Sequence, residues 1–106
     1  KNCNSDFWSK QKIGIQKKFA GLTVDGAQWL ADHGIELIGN DYLSVSLFTK
    51  KGEVQAEVHR ILLKKNIVLL EGLNLAGVKP GVYQLICLPL NLAGLEASPV
   101  RAVLIK

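Results

Sequence analysis

The stretch EVHRILLKKNIVLLEGLNL, residues 57–75, places His59 ahead of Glu71 with mostly aliphatic residues and lysines between them. Imidazole and carboxylate together form an ordinary ligand set for zinc or manganese, or an acid/base pair. Two ligands do not complete such a site, because catalytic zinc normally takes three protein ligands and a water. Taken singly, a histidine on a helix is usually a hydrogen-bonded surface residue, and a glutamate at a strand end is usually solvated. The chain has one other histidine, His33. Other patterns are weak. Gly72, Gly77 and Gly81 do not make a phosphate cradle, Ser44 and Ser98 lack a nucleophile-elbow context, and neither Cys3 nor Cys87 has a motif neighbour. No catalytic acid, base or nucleophile is assigned.

Whether His59 and Glu71 can meet depends on the elements that carry them. Apolar residues at Val54, Val58, Ile61 and Leu62, with lysines in the last turn, predict an amphipathic helix over 54–65. His59 lies a little before its middle, to the side of the apolar stripe. Asn66 ends this helix. The following IVLLEGL predicts a strand buried on both faces, with Glu71 toward its C-terminal end, where open α/β sheets place ligands. A helix followed directly by a strand packs face to face with it, so the two side chains can approach.

The remaining elements follow from local signals. LTVDGAQWLADHGI predicts a helix with Thr23 as N-cap, Asp25 in the first turn and Gly34 just past the end. Its face carries Val24, Ala27, Leu30 and Ala31. IELIGND predicts a short buried strand, and YLSVSLFTKKGE a surface loop with local strand character between Leu43 and Phe48. The turn signal KPG precedes a third strand, VYQLICLPL, and the loop NLAGLEASP leads to a last one, VRAVLIK. Residues 1–22 read as irregular and polar, with Phe7, Trp8, Ile13, Ile15 and Phe19 as isolated anchors. The fold class is α/β: a mixed sheet with two helices as crossovers and the last strands paired antiparallel.

Length and composition bound the rest. The 106 residues suit one domain, and a hydrophobic content of 48% supplies a core. The net charge of +4 comes from lysines scattered over the chain, with Arg60 and Arg101 as its two arginines. A nucleic-acid module concentrates such charge on one face beside stacking aromatics, so no nucleic-acid partner is expected. The chain lacks the run of about 18 apolar residues that a membrane span needs. Cys3 and Cys87 do not make a disulfide framework, which points to a reducing, cytoplasmic setting. The chain opens on Lys1 and contains no methionine, so it reads as a processed, tagged or truncated product without a visible signal peptide.

TVDGAQWLADHGIELIGNDYLSV, EVHRILLKKNIVLLEGLNLAGVKPGVYQLICLPLNL and SPVRAVLI closely resemble the C-terminal half of the cyclase-like hydrolase family. That family includes kynurenine formamidase (arylformamidase) and isatin hydrolase. The resemblance runs from about Asn4 to Ile105, and its most specific part couples HRILL to EGLNL, followed by PGVYQLICLPL. It implies a swivelling β/β/α fold and metal-dependent hydrolysis of a linear or cyclic amide bond, as in tryptophan catabolism. It also implies that His59 and Glu71 are metal ligands, acting with an upstream His-x-Gly-Thr-His-x-Asp motif. No such motif occurs in this sequence.

His33 matches no family ligand and reads as structural, at a helix end that favours a cation. The family usually has Gly-Ile-Asp where this chain has Gly39, Asn40 and Asp41. Asn40 therefore stands at an apolar position, and Asp41 is expected to anchor the loop beside the site. From this resemblance, the chain alone is expected to be inactive and to hold zinc or manganese weakly or not at all. Its expected partners are a separate N-terminal half, which would complete a site for a small-molecule amide, or further copies of itself as a homo-oligomer. The alternative is a non-catalytic, self-associating fragment or interaction module of the same descent. A basic binding module is the least favoured reading.

Overall fold

The computed structural model describes residues 19–48 and 53–106. In chain order the elements are α1 (Val24–Asp32), β1 (Leu37–Gly39), α2 (Glu53–Lys64), β2 (Val68–Leu70), β3 (Gln84–Pro89) and β4 (Val100–Ile105). The expected anchors Phe7, Trp8, Ile13 and Ile15, together with Cys3, lie outside the described residues.

Both helices end where their local chemistry requires. The Thr23 Oγ1 accepts the Gly26 N–H at 3.4 Å, closing the N-terminus of α1. At the other end His33 is the C-cap, and Gly34 follows with φ +69°, a left-handed conformation that a side chain would strain. The His33 ring stacks on Trp29 with centroids 3.9 Å apart, and its Nδ1 donates to the Trp29 carbonyl at 2.7 Å. That is the structural role expected of it. Helix α2 is followed by Asn66 at φ +57°, and from there the chain enters β2.

The core is formed where α1 meets α2. Ala27 and Ala31, one turn apart, are the buried residues of α1, while Val58 and Leu62 are those of α2. Small residues on one helix let the larger pair on the other come close, and Val45 and Ile67 complete the buried cluster. Leu22, Ile38, Val54, Ile61 and Leu69 pack around it. Val24, expected on the inward face, is exposed because it occupies the first turn, ahead of the helix contact.

Strands β1 and β2 pair in parallel, with Leu37 opposite Val68 and Gly39 opposite Leu70. Helix α2 is the crossover between them, a β-α-β unit. β2 is not buried on both faces as its aliphatic run suggests. Leu70 is buried, but Val68, whose side chain points to the other face of the strand from Leu69, is half exposed. β3 and β4 form a second, antiparallel ladder in which Leu85 faces Leu104 and Ile86 faces Val103. The parallel and antiparallel pairings expected from the sequence are therefore both present, as two separate ladders. An apolar cleft of about 580 Å³, lined in part by Leu37, Leu70, Leu73, Leu85 and Leu104, lies between them.

The segment after β1 also departs from expectation. Much of the segment 42–48 is not at the surface: Tyr42, Ser44, Val45 and Ser46 are buried, while Leu43 and Phe48 are exposed. The two serines mislead because their hydroxyls are satisfied internally, Ser44 Oγ lying 3.2 Å from Ser46 Oγ and accepting the Ser46 N–H at the same distance. The segment also gains a backbone neighbour, since Leu22 and Ser46 form a parallel bridge and the Leu22 N–H donates to the Val45 carbonyl at 2.7 Å. Gly21 permits this approach, because a Cβ there would stand 2.9 Å from the Leu47 nitrogen.

Candidate metal centre

His59 sits on the second turn of α2, and Glu71 directly follows β2. The structure brings the two together, with His59 Nε2 lying 3.5 Å from Glu71 Oε1. Both side chains are partly exposed, at 27% and 35%, so the pair is reachable from solvent.

Each partner is aimed by a backbone group. His59 Nδ1 lies 2.8 Å from the Gln55 carbonyl, one turn earlier in α2. A carbonyl can only accept, so Nδ1 carries the hydrogen and Nε2 faces Glu71. Glu71 Oε1 accepts the Val45 N–H at 2.9 Å, which fixes the oxygen that meets the ring. The segment before Val45 holds Glu71 from both sides of its backbone as well. Asn40 N–H donates to the Leu70 carbonyl at 2.8 Å, Gly72 N–H to the Tyr42 carbonyl at 2.7 Å, and Leu73 N–H to the Asn40 carbonyl at 3.1 Å.

This arrangement has a specific chemical consequence. With Nδ1–H given to Gln55, a neutral imidazole presents a lone pair at Nε2, and the carboxylate oxygen opposite presents another. Only a proton or a cation between them makes the approach attractive. Ligands held about 2.0–2.1 Å from a tetrahedral metal lie about 3.3–3.4 Å from one another. The observed 3.5 Å between Nε2 and Oε1 matches that spacing. A ligating histidine whose other nitrogen donates to a carbonyl is also the usual form of such a ligand. The two residues thus fit a divalent cation as a pair. Among the described residues, no group of three or more His, Cys, Asp or Glu gathers around one point.

Asp41, expected beside the site, is fully buried at the start of the segment that carries Val45. Sequence reasoning found His59 and Glu71 but missed Val45, because a backbone N–H leaves no mark in residue type. It also left Asn40 without a task, although an amide at a strand end next to an aspartate is a recognisable loop-forming signal.

No family model matches the chain. Curated relatives do. The chain is 46% identical over 101 residues to Cyclase-like protein 3 of Oryza sativa subsp. japonica, covering 93% of this chain and 35% of that protein. It is 48% identical over 99 residues to the kynurenine formamidase of Salinibacter ruber, covering 93% of this chain and 42% of that enzyme. A solved structure of a "potential metal-dependent hydrolase with cyclase activity" superimposes with a TM-score of 0.79 at 29% identity, over 95% of this chain and 46% of the other. The chain spans less than half the length of these proteins. In sequence and in fold, it is a member of the cyclase-like hydrolase family that corresponds to the C-terminal half of the family's proteins.

Proposed function

We propose that His59 and Glu71 are two ligands of a divalent-metal site, zinc or manganese, in an amide hydrolase of the kynurenine formamidase type. The observation that carries this reading is the 3.5 Å approach of Nε2 to Oε1, with each group oriented by a backbone hydrogen bond. When bound, such a cation lowers the pKa of water and polarises an amide carbonyl. The protein's own contribution is positional. Helix α2 fixes the ring and its tautomer, while the segment from Asn40 to Val45 fixes the carboxylate. The other ligands are those of the His-x-Gly-Thr-His-x-Asp motif, which these 106 residues do not carry, and by themselves these residues do not hydrolyse amides. A small-molecule amide is the substrate class, and the cytoplasm is the setting, which the free Cys87 thiol suits.

The test is hydrolysis of N-formylkynurenine by the chain alone and mixed with an N-terminal portion of a cyclase-like relative, in the presence of Mn²⁺ or Zn²⁺. Activity only in the mixture, abolished by His59→Ala, supports the reading. Inactivity of a mixture that has formed a stable complex contradicts it.

A second reading, a non-catalytic module that associates with copies of itself, is favoured by a different observation. Both faces of the β3–β4 ladder carry exposed aliphatic side chains: Leu85 and Leu104 on one, Ile86, Leu88 and Val103 on the other. Apolar surface on both sides of an open-edged ribbon invites a second chain.

A further inference from the structure

We infer that Asn40, a residue with no place in the family's ligand motif, is the positioning residue that holds the Glu71 carboxylate toward His59. The inference rests on the metal-site reading above and extends it to a group that touches neither the cation nor the substrate. Asn40 follows β1 directly and is buried, with 9% of its surface exposed. Its Nδ2 donates to the Ser44 carbonyl at 2.6 Å, closing the segment Asn40–Ser44 into a tight loop. The atom facing that carbonyl must be the amide nitrogen, since an amide oxygen there would be repelled.

The next peptide is the one that matters. The Ser44 carbonyl belongs to the same peptide unit as the Val45 N–H, and that N–H donates to Glu71 Oε1 at 2.9 Å. A planar peptide transmits orientation, so a hydrogen bond at its oxygen fixes the direction of its N–H. Asn40 therefore sets the aim of the Val45 N–H, and the Val45 N–H selects the carboxylate oxygen that meets His59 Nε2. The far side of Val45 is pinned by the Leu22 N–H at its carbonyl, 2.7 Å away. The backbone of Asn40 adds a second hold, bonding to Leu70 and Leu73 on either side of Glu71. An apolar residue at this position would keep the backbone bonds and lose the one that orients the peptide.

Outer hydrogen-bond partners of this kind typically change metal affinity about 10–100-fold when removed. The experiment compares the 106-residue chain with Asn40→Ala, the isosteric Asn40→Asp, and Gly94→Ala, a substitution at a left-handed turn residue (φ +78°) between β3 and β4 that controls for lost stability away from the loop. Two readouts are taken by NMR: hydrogen exchange of the Val45 amide, and Mn²⁺ titration followed by broadening at His59 and Glu71. Both Asn40 variants are expected to accelerate Val45 exchange at least tenfold more than Gly94→Ala does, and to weaken Mn²⁺ binding about tenfold. Unchanged Val45 exchange in the folded Asn40→Asp variant overturns the inference. Should the unmodified chain show no broadening at His59 and Glu71, the metal reading fails, and Val45 exchange still decides whether Asn40 positions Glu71.

Discussion

Glu71 Oε1 stands 3.5 Å from His59 Nε2 and accepts the Val45 N–H with the same atom. A carboxylate oxygen with two such neighbours is held in place before any cation arrives. Replacing Glu71 with glutamine keeps an oxygen for Val45 and removes the charge. Glu71→Gln is therefore expected to keep its melting temperature within a few degrees and to weaken Mn²⁺ binding at least tenfold, read by thermal melting and metal titration.

His59 is held by a helix it does little to stabilise. The ring is partly exposed, and exposed ion pairs contribute about 0–1 kcal/mol. His59→Ala should lower stability by no more than about 1 kcal/mol in urea titration. It should still abolish hydrolysis in any reconstituted mixture.

The helix contact that places His59 is less tolerant. Ala27 and Leu62 both belong to the fully buried cluster between α1 and α2. Leu62→Ala opens a cavity and should cost about 2–5 kcal/mol. Ala27→Leu overfills the same contact and should cost about 1–3 kcal/mol. Denaturant midpoints measured at constant slope check both.

Asp25 ties the start of α1 to pH. The Thr23 side-chain hydrogen bond, aided by the backbone N–H groups of Asp25 and Gly26, holds the Asp25 carboxyl below its ordinary value of 3.8. A depressed folded-state pKa gives stability that is complete above the unfolded value. That stability is lost as pH falls through the folded one. Thr23→Ala should cost about 1 kcal/mol at neutral pH. It should also flatten the decline in melting temperature below about pH 4.

The β3–β4 ribbon makes a separate prediction. Leu88 is 65% exposed on the face that also carries Ile86 and Val103. If copies associate through this face, Leu88→Lys shifts the chain toward monomer in light scattering across a concentration series. An unchanged mass distribution removes this face from the interface.

The sequence carried most of the local architecture, since caps, turn residues and apolar spacing act over a few positions. Thr23, Gly34 and Asn66 mark real ends, and the Val58–Leu62 spacing is the buried stripe. Burial was harder to read because it depends on what lies across the element. The aliphatic β2 and β3 carry exposed side chains, while the serine-bearing segment after β1 is buried. The site followed the same division. His59 and Glu71 were visible as residue types, but their aim is set by the carbonyl of Gln55 and the N–H of Val45. Backbone groups are common to every residue, so only the fold reveals which one is used.

On the proposed reading, His59 and Glu71 bind one divalent cation together. Mn²⁺ titration of the isotopically labelled chain tests it most directly, because paramagnetic broadening maps even weak binding onto residues. Selective broadening of His59 and Glu71 and their immediate neighbours is expected, lost in both His59→Ala and Glu71→Gln. Broadening centred on other residues, or surviving in either variant, would contradict that reading.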